Sequence, residues 1–371
     1  MIIEKRLLRN LDYPLLATVL GLLAVGLLAV YSATQPARLG GPGFNALVLR
    51  QVVGAATGLL AMAVMIVVDY RVWEKWTTPL YIFSLLLLVA VLVLGREVNG
   101  SKSWLYLGPL GSFQPSELVK VLVVVGLAGM LAEKRDLSTP RSLVLPVLFV
   151  AVPMMLILLE KDLGTALVFV GVLLAMLLVA GAPIRYLLWA IGAGVAASPL
   201  VFFFVLQPYQ RARLLVLFNP QAYQLQAGYN VVQAMIAIGS GRLFGKGLFS
   251  GSQTQLNFVP EHHTDFIFSV IGEEFGFLGA AAVLAGYFYL IWKGIQIAGE
   301  ARDRFGALLV VGLESILLVH IVVNVGMNLG VVPVTGIPLP FISYGSSALV
   351  SNLMAAGLIL NVGMRRQKIL F

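Results

Sequence analysis

Hydrophobic residues run along this chain in ten long blocks, at about 11–33, 45–69, 73–95, 116–132, 142–160, 163–182, 184–206, 264–292, 305–331 and 341–363. A block of roughly 20 apolar residues is long enough to cross a bilayer as a helix. The pattern predicts an all-α, polytopic membrane protein in which residues 1–371 form a single ten-helix transmembrane domain. Most polar connections between the blocks are short, which favours one compact bundle. Two are not. REVNGSKSWLYLGPLGSFQPSE (96–117) is rich in Gly, Ser and Pro, and a loop of more than 50 residues spans 207–263. A connection of that length is expected to be functional rather than passive. Within it, GYNVVQAMIAI (228–238) reads as a short amphipathic helix at the membrane interface, and GSGRLFGKGLFSG (239–251) as a glycine-rich, basic turn region. No soluble domain and no strong internal repeat is evident.

Composition sharpens this picture. The chain is 59% hydrophobic and 11% charged, with a mean hydropathy of +0.94, whereas soluble domains carry about a quarter charged residues. There is no cysteine, which removes disulfides, thiol nucleophiles and Cys-based zinc sites. The start, MIIEKRLLRNLDYP, is followed by no small-residue cleavage site and is expected to lead into a retained first helix. The net charge of +8 bears on orientation through where the basic residues sit. With both termini in the cytoplasm, the inner segments hold 15 of the 25 basic residues, the longer outer loops hold nine, and Lys120 lies within a helix. The loop 207–263 then lies outside.

From Leu163 to Pro260 the chain has no Asp or Glu over 98 residues. The basic residues in the outer part of that span are Arg211, Arg213, Arg242 and Lys246. A loop with positive charge only, and with glycines that expose backbone N–H groups, suits an anionic ligand such as a diphosphate; contact with lipid headgroups is the plainer explanation. Ionisable residues also occur inside helices. Glu117 and Lys120, spaced i, i+3, can pair. Glu160, Lys161 and Asp162 cap the outer ends of two helices. Glu273 and Glu274 lie deeper than Asp265, and Glu314 and His320 lie well inside the ninth helix. Each such group destabilises a helix centre by about 2.5–3.5 kcal/mol unless paired or hydrated. Together they imply an internal polar cavity or structural ion pairs.

NFVPEHHTDFIFSV (257–270) concentrates the titratable chemistry, with Glu261, His262, His263 and Asp265 at the edge of an apolar run. A zinc site needs three or four ligands at workable spacing. Adjacent histidines point apart and no HExxH helix is present, so zinc hydrolysis is disfavoured. A plain helix cap by Thr264 or Asp265 is one reading. The other is a partly desolvated carboxylate whose pKa rises toward that of a useful general base, beside a basic loop that holds the anionic substrate.

These blocks resemble a known family. NVGMNLGVVPVTGIPLPFISYGSS (324–347) is similar to the signature of the SEDS (shape, elongation, division and sporulation) proteins, bacterial ten-helix membrane proteins. WLYLGPLGSFQPSELVK (104–120), EKDLGTAL (160–167), AGYNVVQAMIAIGSGRLFGKGLFSGSQTQLNFVPEHHTDFIF (227–268) and GEEFGFLGA (272–280) extend the resemblance over nearly the whole chain. GKGLFSGSQTQLNFVP looks more like the elongation branch than the division branch. Ser346 departs from the pattern, which usually has a second glycine after SYG.

The resemblance implies a peptidoglycan glycosyltransferase that polymerises lipid II at the outer face of the cytoplasmic membrane and releases undecaprenyl pyrophosphate. It implies Asp265 as the essential carboxylate, with Glu117 and Lys120, Asp162 and Ser343 as matching site positions; Glu261 and His263 join them as neighbours of Asp265. Arg211, Arg213, Arg242 or Lys246 is expected to hold the pyrophosphate. A divalent cation (Mg or Mn) would neutralise the leaving group, with nearby carboxylates as ligands, although no metal set is evident. The implied partners are a class B penicillin-binding protein, lipid II and the nascent strand, and no nucleic acid. A lipid II transporter is the alternative, for which the buried ionisable groups speak and the lack of repeats does not. A recruiting scaffold would leave the acid-free loop unexplained.

Overall fold

The computed structural model describes residues 9–34, 46–98, 100–106, 108, 112–134, 136–218, 227–256 and 258–366. Lys5, Arg6, Arg135 and Lys368, used for the orientation argument, lie outside the described residues, as does the 219–226 part of the long loop. In chain order the elements are α1 (Tyr13–Thr34), α2 (Ala46–Val67), α3 (Tyr70–Lys75), α4 (Thr77–Leu94), β1 (Arg96–Val98), β2 (Ser101–Tyr106), β3 (Ser112–Phe113), α5 (Pro115–Glu133), α6 (Pro140–Leu159) and α7 (Leu163–Val179). There follow α8 (Ile184–Leu200), which ends in a π turn, α9 (Pro208–Phe218), α10 (Ala227–Ser240), α11 (Ser252–Gln255), α12 (Ile267–Gly299), α13 (Arg304–Asn328) and α14 (Ser346–Met364).

Each predicted apolar block has its helix. Among the described residues nine helices are long and apolar enough to cross a membrane, and the sixth block is the shorter apolar helix α7, of 17 residues. The chain is therefore a polytopic membrane protein. Helices are the outcome because apolar side chains place the backbone in hydrocarbon, where every N–H and C=O needs a partner within the segment. Their starts follow local chemistry: Thr139 caps α6 with Pro140 in its first turn, Asp162 caps α7 through Thr165 N, and Asp303 caps α13 through Gly306 N. The helices α5, α13 and α14 are enclosed on most sides, whereas α8 is almost wholly at the periphery. The loop 96–117 carries a small antiparallel meander, β1-β2-β3, on the otherwise helical fold.

Two departures from simple spanning helices matter for the site. The first is a break in α12 at Gly276, whose φ of 67° and ψ of −165° take it out of the helix. The turn 241–247 fills the break: Phe277 N donates to Arg242 O (2.8 Å), Leu278 N to Leu243 O (3.1 Å), Lys246 N to Glu273 O (3.0 Å) and Gly247 N to Glu274 O (3.0 Å). A Cβ at Gly276 would stand 2.2 Å from Gly245 N, so both φ and close approach require glycine there. The expectation that this glycine-rich turn presents free N–H groups to an anion is corrected for Lys246 and Gly247, which satisfy the broken helix instead. The helix predicted at 228–238 exists as α10, and it buries Val231, Ala234 and Ala237 with Val216 and Phe266 in a small satellite core.

The second departure is the non-helical segment 333–345 before α14. Its residues 341–342 press against the middle of α1, where a Cβ at Gly26 would stand 2.5 Å from Ile342 Cα. Side chains from three helices, α2, α12 and α13, satisfy its backbone. Asn324 donates to Ile337 O (2.8 Å), His320 Nδ1 to Pro338 O (3.0 Å), Tyr287 to Pro340 O (2.5 Å) and Gln51 to Ser343 O (3.1 Å). Non-helical backbone at this depth is tolerated where protein supplies the partners. Ser346 is the first residue of α14, an ordinary helical position that needs no glycine.

The ends of the bundle differ in charge. Asp12, Asp69, Glu300 and Asp303 pair with Lys293, Arg365, Arg366 and Arg71 at the end where α1 begins and α14 finishes. The turn 258–266 lies at the other end.

Candidate active site

Asp265 sits in the turn before α12, and that turn is tightly wound. Thr264 N, Asp265 N and Phe266 N all donate to Glu261 O, at 3.2, 3.1 and 3.3 Å, with Glu261 itself at a φ of 52°. His262, nearly buried, pins the turn from below. Its Nδ1 faces Val259 O and its Nε2 faces Ala33 O at the end of α1, each at 2.7 Å. Phe266, 1% exposed, packs into the satellite core beneath α9 and α10. From the other side Ser343 Oγ donates to Thr264 O (2.7 Å) and accepts from Leu339 N (2.8 Å), while Tyr344 N donates to His263 O (2.9 Å).

The Asp265 carboxylate faces the 333–345 segment, since a Cβ at Gly336 would stand 3.6 Å from its Oδ2. Among the described residues no donor is hydrogen-bonded to it and no cation forms an ion pair with it. Burial first, and the Glu261 carboxylate second, push its pKa up to about 6, against the pull of Arg213. A carboxylate with few hydrogen bonds and a pKa near the working range is suited to accept a proton. The helix-cap reading is not what the geometry displays, because no side-chain cap bond closes the start of α12.

The other predicted residues fall into two groups. Glu261, His263, Arg213, Ser343 and Asp162 gather around Asp265 and the 333–345 segment. Glu261 is exposed and bonded to Thr264 Oγ1 (3.2 Å). His263 stacks at a tilt on Tyr344 with ring centroids 5.5 Å apart, and burial lowers its pKa, so it is neutral at pH 7. Arg213 reaches Val334 O at 3.4 Å. Asp162 accepts from Thr165 N (2.9 Å), Thr165 Oγ1 (2.8 Å) and Gln114 Nε2 (3.3 Å). Two residues on, Gly164 packs so closely on Thr335 that a Cβ would stand 2.8 Å from its carbonyl oxygen. Asp162 and Asp265 therefore flank the same short stretch, Thr335–Ile337.

Glu117 and Lys120 lie below this level as a buried pair, Nζ to Oε1 at 2.9 Å, and Lys120 also meets His320 Nε2 at 2.8 Å. An ammonium can only donate, so His320 Nε2 accepts and Nδ1 donates onward to Pro338 O. The pair thus reaches the site through the backbone of the 333–345 segment. Three of the basic residues are elsewhere. Arg211 donates to Leu206 O (3.0 Å) and Phe203 O (2.7 Å), closing the end of α8. Lys246 pairs with the buried Glu273 (2.7 Å), and Glu273 also accepts from Gln253 N and from Thr254 N and Oγ1. Arg242 is exposed on the turn that fills the α12 break.

Sequence reasoning passed over Gln51, Asn324 and Asn328, all buried and all bonded to backbone of the site segments. The available signal was a strongly polar side chain inside an apolar block. Among the described residues no three His, Asp or Glu side chains come together as a metal cage. The donors that fit a hard cation are the uncompensated carboxylates Asp265 and Glu261, with water and phosphate oxygens completing the set, as Mg commonly binds.

Residues 13–368 match the cell cycle protein family that takes in FtsW, RodA and SpoVE. The chain is 37% identical over 361 residues to the peptidoglycan glycosyltransferase MrdB of Escherichia coli K12, covering 96% of this chain and 95% of that one. It is 31% identical over 428 residues to the peptidoglycan glycosyltransferase RodA of Treponema pallidum, covering 96% and 98%. A chain from a peptidoglycan synthase complex that coordinates polymerization and crosslinking superposes with a TM-score of 0.82 at 34% identity, over 96% of this chain and 98% of that one. The crystal structure of the rod shape determining protein RodA of Thermus thermophilus gives a TM-score of 0.72 at 31% identity, over 96% and 98%.

Proposed function

Because the chain belongs to the FtsW, RodA and SpoVE family and is a peptidoglycan glycosyltransferase, we propose that it polymerises lipid II at the outer face of the bacterial cytoplasmic membrane during elongation, with Asp265 as the general base. The observation that carries the base assignment is the Asp265 carboxylate itself: desolvated, unpaired, and aimed at the 333–345 segment.

In this reading Asp265 accepts the proton of the acceptor sugar's 4-hydroxyl, and that oxygen attacks the anomeric carbon of the donor. The bond from that carbon to the phosphate oxygen breaks on the opposite face, the product is a β-1,4 link with inverted configuration, and undecaprenyl pyrophosphate departs. Arg213 is the cation best placed to meet the departing anion, because its charge already acts at Asp265. Arg242, Arg211 and Lys246 would serve only at the approach, the last two after exchanging their present partners. A divalent ion held by Glu261 and the diphosphate would supply charge neutralisation at the leaving group. His263 neutral and Tyr344 beside it offer a sugar-facing aromatic edge, while Asp162 borders the cleft from α7. The partner in this reading is a class B penicillin-binding protein, which cross-links the strands; likeness to a chain of a synthase complex supports it.

Polymer formation from purified lipid II, with the penicillin-binding partner present, tests the reading. Long glycan from the wild type and none from a folded Asp265→Asn variant is the expected outcome. Full-length glycan from that variant would remove Asp265 as base. No glycan from the wild type, together with lipid II movement across vesicles, would bring the transporter forward.

A further inference from the structure

The first turn of α12 contains an unusual substitution of side chain for backbone. Ser269 N, four residues after Asp265, does not bond to Asp265 O; it donates to Phe266 O (3.0 Å) and to Asn328 Oδ1 (3.1 Å). The Asn328 amide then donates from Nδ2 to Asp265 O (3.1 Å). One carboxamide is thus inserted where a helical hydrogen bond would run, satisfying both of its ends. Asn324, one turn earlier on α13, donates from its own Nδ2 to Asp265 O (2.9 Å) and to Ile337 O (2.8 Å). Asn324 O in turn accepts from Asn328 Nδ2 (2.9 Å). Both asparagines are 0% exposed.

We propose that Asn324 and Asn328 are positioning residues that hold Asp265 out of the α12 register and lock its carboxylate against the Thr335–Ile337 stretch. This rests on Asp265 being the base. The reasoning is geometric. With the amide wedge removed, Asp265 O and Ser269 N are free to close on each other, α12 extends by one residue, and the side chain swings with it. Asn324 ties the base and the opposing wall to one amide, because Ile337 follows Gly336, the residue that Asp265 Oδ2 approaches. Two asparagines inside an apolar helix are otherwise unfavourable, and a bond network in which no side-chain N or O of either asparagine lacks a partner is consistent with a fixed geometry. Neither side chain reaches the cleft, so neither touches substrate.

The test combines kinetics with a readout that needs no turnover. Carbodiimide-promoted labelling of Asp265, followed by mass spectrometry across pH, reports when that carboxyl is protonated. The charged groups acting on it, Glu261 and Arg213, are unchanged in every variant. In Asn324→Ala and Asn328→Ala the labelling midpoint is expected to fall from about 6 toward the ordinary value of about 4. In the polymerisation assay kcat should fall roughly tenfold to a hundredfold while KM stays within about twofold. Asn324→Leu and Asn328→Leu keep the volume in an apolar helix and serve if the alanine variants do not fold. The midpoint is read on the folded, monodisperse fraction, because an unfolded chain would itself titrate at the ordinary value of about 4. A wild-type midpoint with wild-type kcat in folded variants would overturn the proposal. Polymer made by Asp265→Asn is a separate result: it removes the base assignment, and the labelling still reads the clamp.

Discussion

At the end where α1 begins and α14 finishes, acids and bases meet one another; at the opposite end, among the described residues, four acids have no cation partner. Asp12, Asp69, Glu300 and Asp303 each have a cation within 3.9 Å, and Asp303 also accepts from Tyr70 and caps α13. Among the described residues Glu160, Asp162, Glu261 and Asp265 have none. The ion pairs of the first end gather the loops of α1, α2, α12 and α14 and leave nothing reactive. Asp162, Glu261 and Asp265 at the other end have no counter-ion built in, so a cationic or proton-donating group brought by a substrate finds a partner there. The same residue types therefore do structural work at one end and chemical work at the other, and the difference is whether a counter-ion is built in.

The largest expected effect comes from neutralising one acid at each end. Asp265→Asn should lower the polymerisation rate by about 10²- to 10⁴-fold, the range for a lost general base, and leave thermal stability equal or higher. Asp303→Ala should do the opposite, lowering stability by about 1–2 kcal/mol through loss of its cap with the rate unchanged; thermal melts and the lipid II assay read both. Stability loss in the first variant and rate loss in the second would erase the contrast.

Between the two ends lies Glu117–Lys120–His320. Lys120→Met leaves a buried carboxylate unpaired, and breaking such a pair destabilises by about 3–5 kcal/mol. Pairing it with Glu117→Gln should recover part of that loss in a double-mutant cycle.

Glu160 sharpens the comparison further. Both of its carboxyl oxygens are buried without a partner, and burial, with Asp162 second, raises its pKa to about 8. In the folded state it holds its proton to a higher pH than in the unfolded state. Its contribution therefore weakens stability as pH rises from about 4.3, the ordinary value, to about 8. Glu160→Gln should melt near the wild type at pH 5 and above it at pH 9. A smaller effect is expected from Arg71→Ala at the paired end, where the side chains are 39% and 31% exposed; such pairs contribute about 0–1 kcal/mol.

Much of the fold was legible because hydrocarbon imposes length and composition on every spanning helix, and α2, α5 and α13 begin and end close to where their apolar blocks do. The site was legible at Asp265, where polar turn meets apolar helix. What escaped was backbone satisfied at long range. Nothing in GSGRLFGKGLFSG signals that it fills a break in α12, and the apolar block 264–292 hides that break because a single glycine leaves the hydropathy unchanged. Lys246 was read as an anion ligand since its partner, Glu273, is 27 positions away. The 341–345 part of the last block was read as helix, yet it belongs to the non-helical 333–345 segment, whose carbonyls are held by Gln51, Tyr287, His320 and Asn324 from three separate helices.

The pH dependence of kcat/KM for glycan polymerisation by the wild type, which reports the free enzyme's titrating groups, tests the central claim most directly. Desolvation of Asp265 predicts an acid limb centred at about 6, with the rate rising as pH rises through it. A rate that stays flat down to about pH 4, where an ordinary aspartate titrates, would contradict a desolvated, unpaired carboxylate acting as the base.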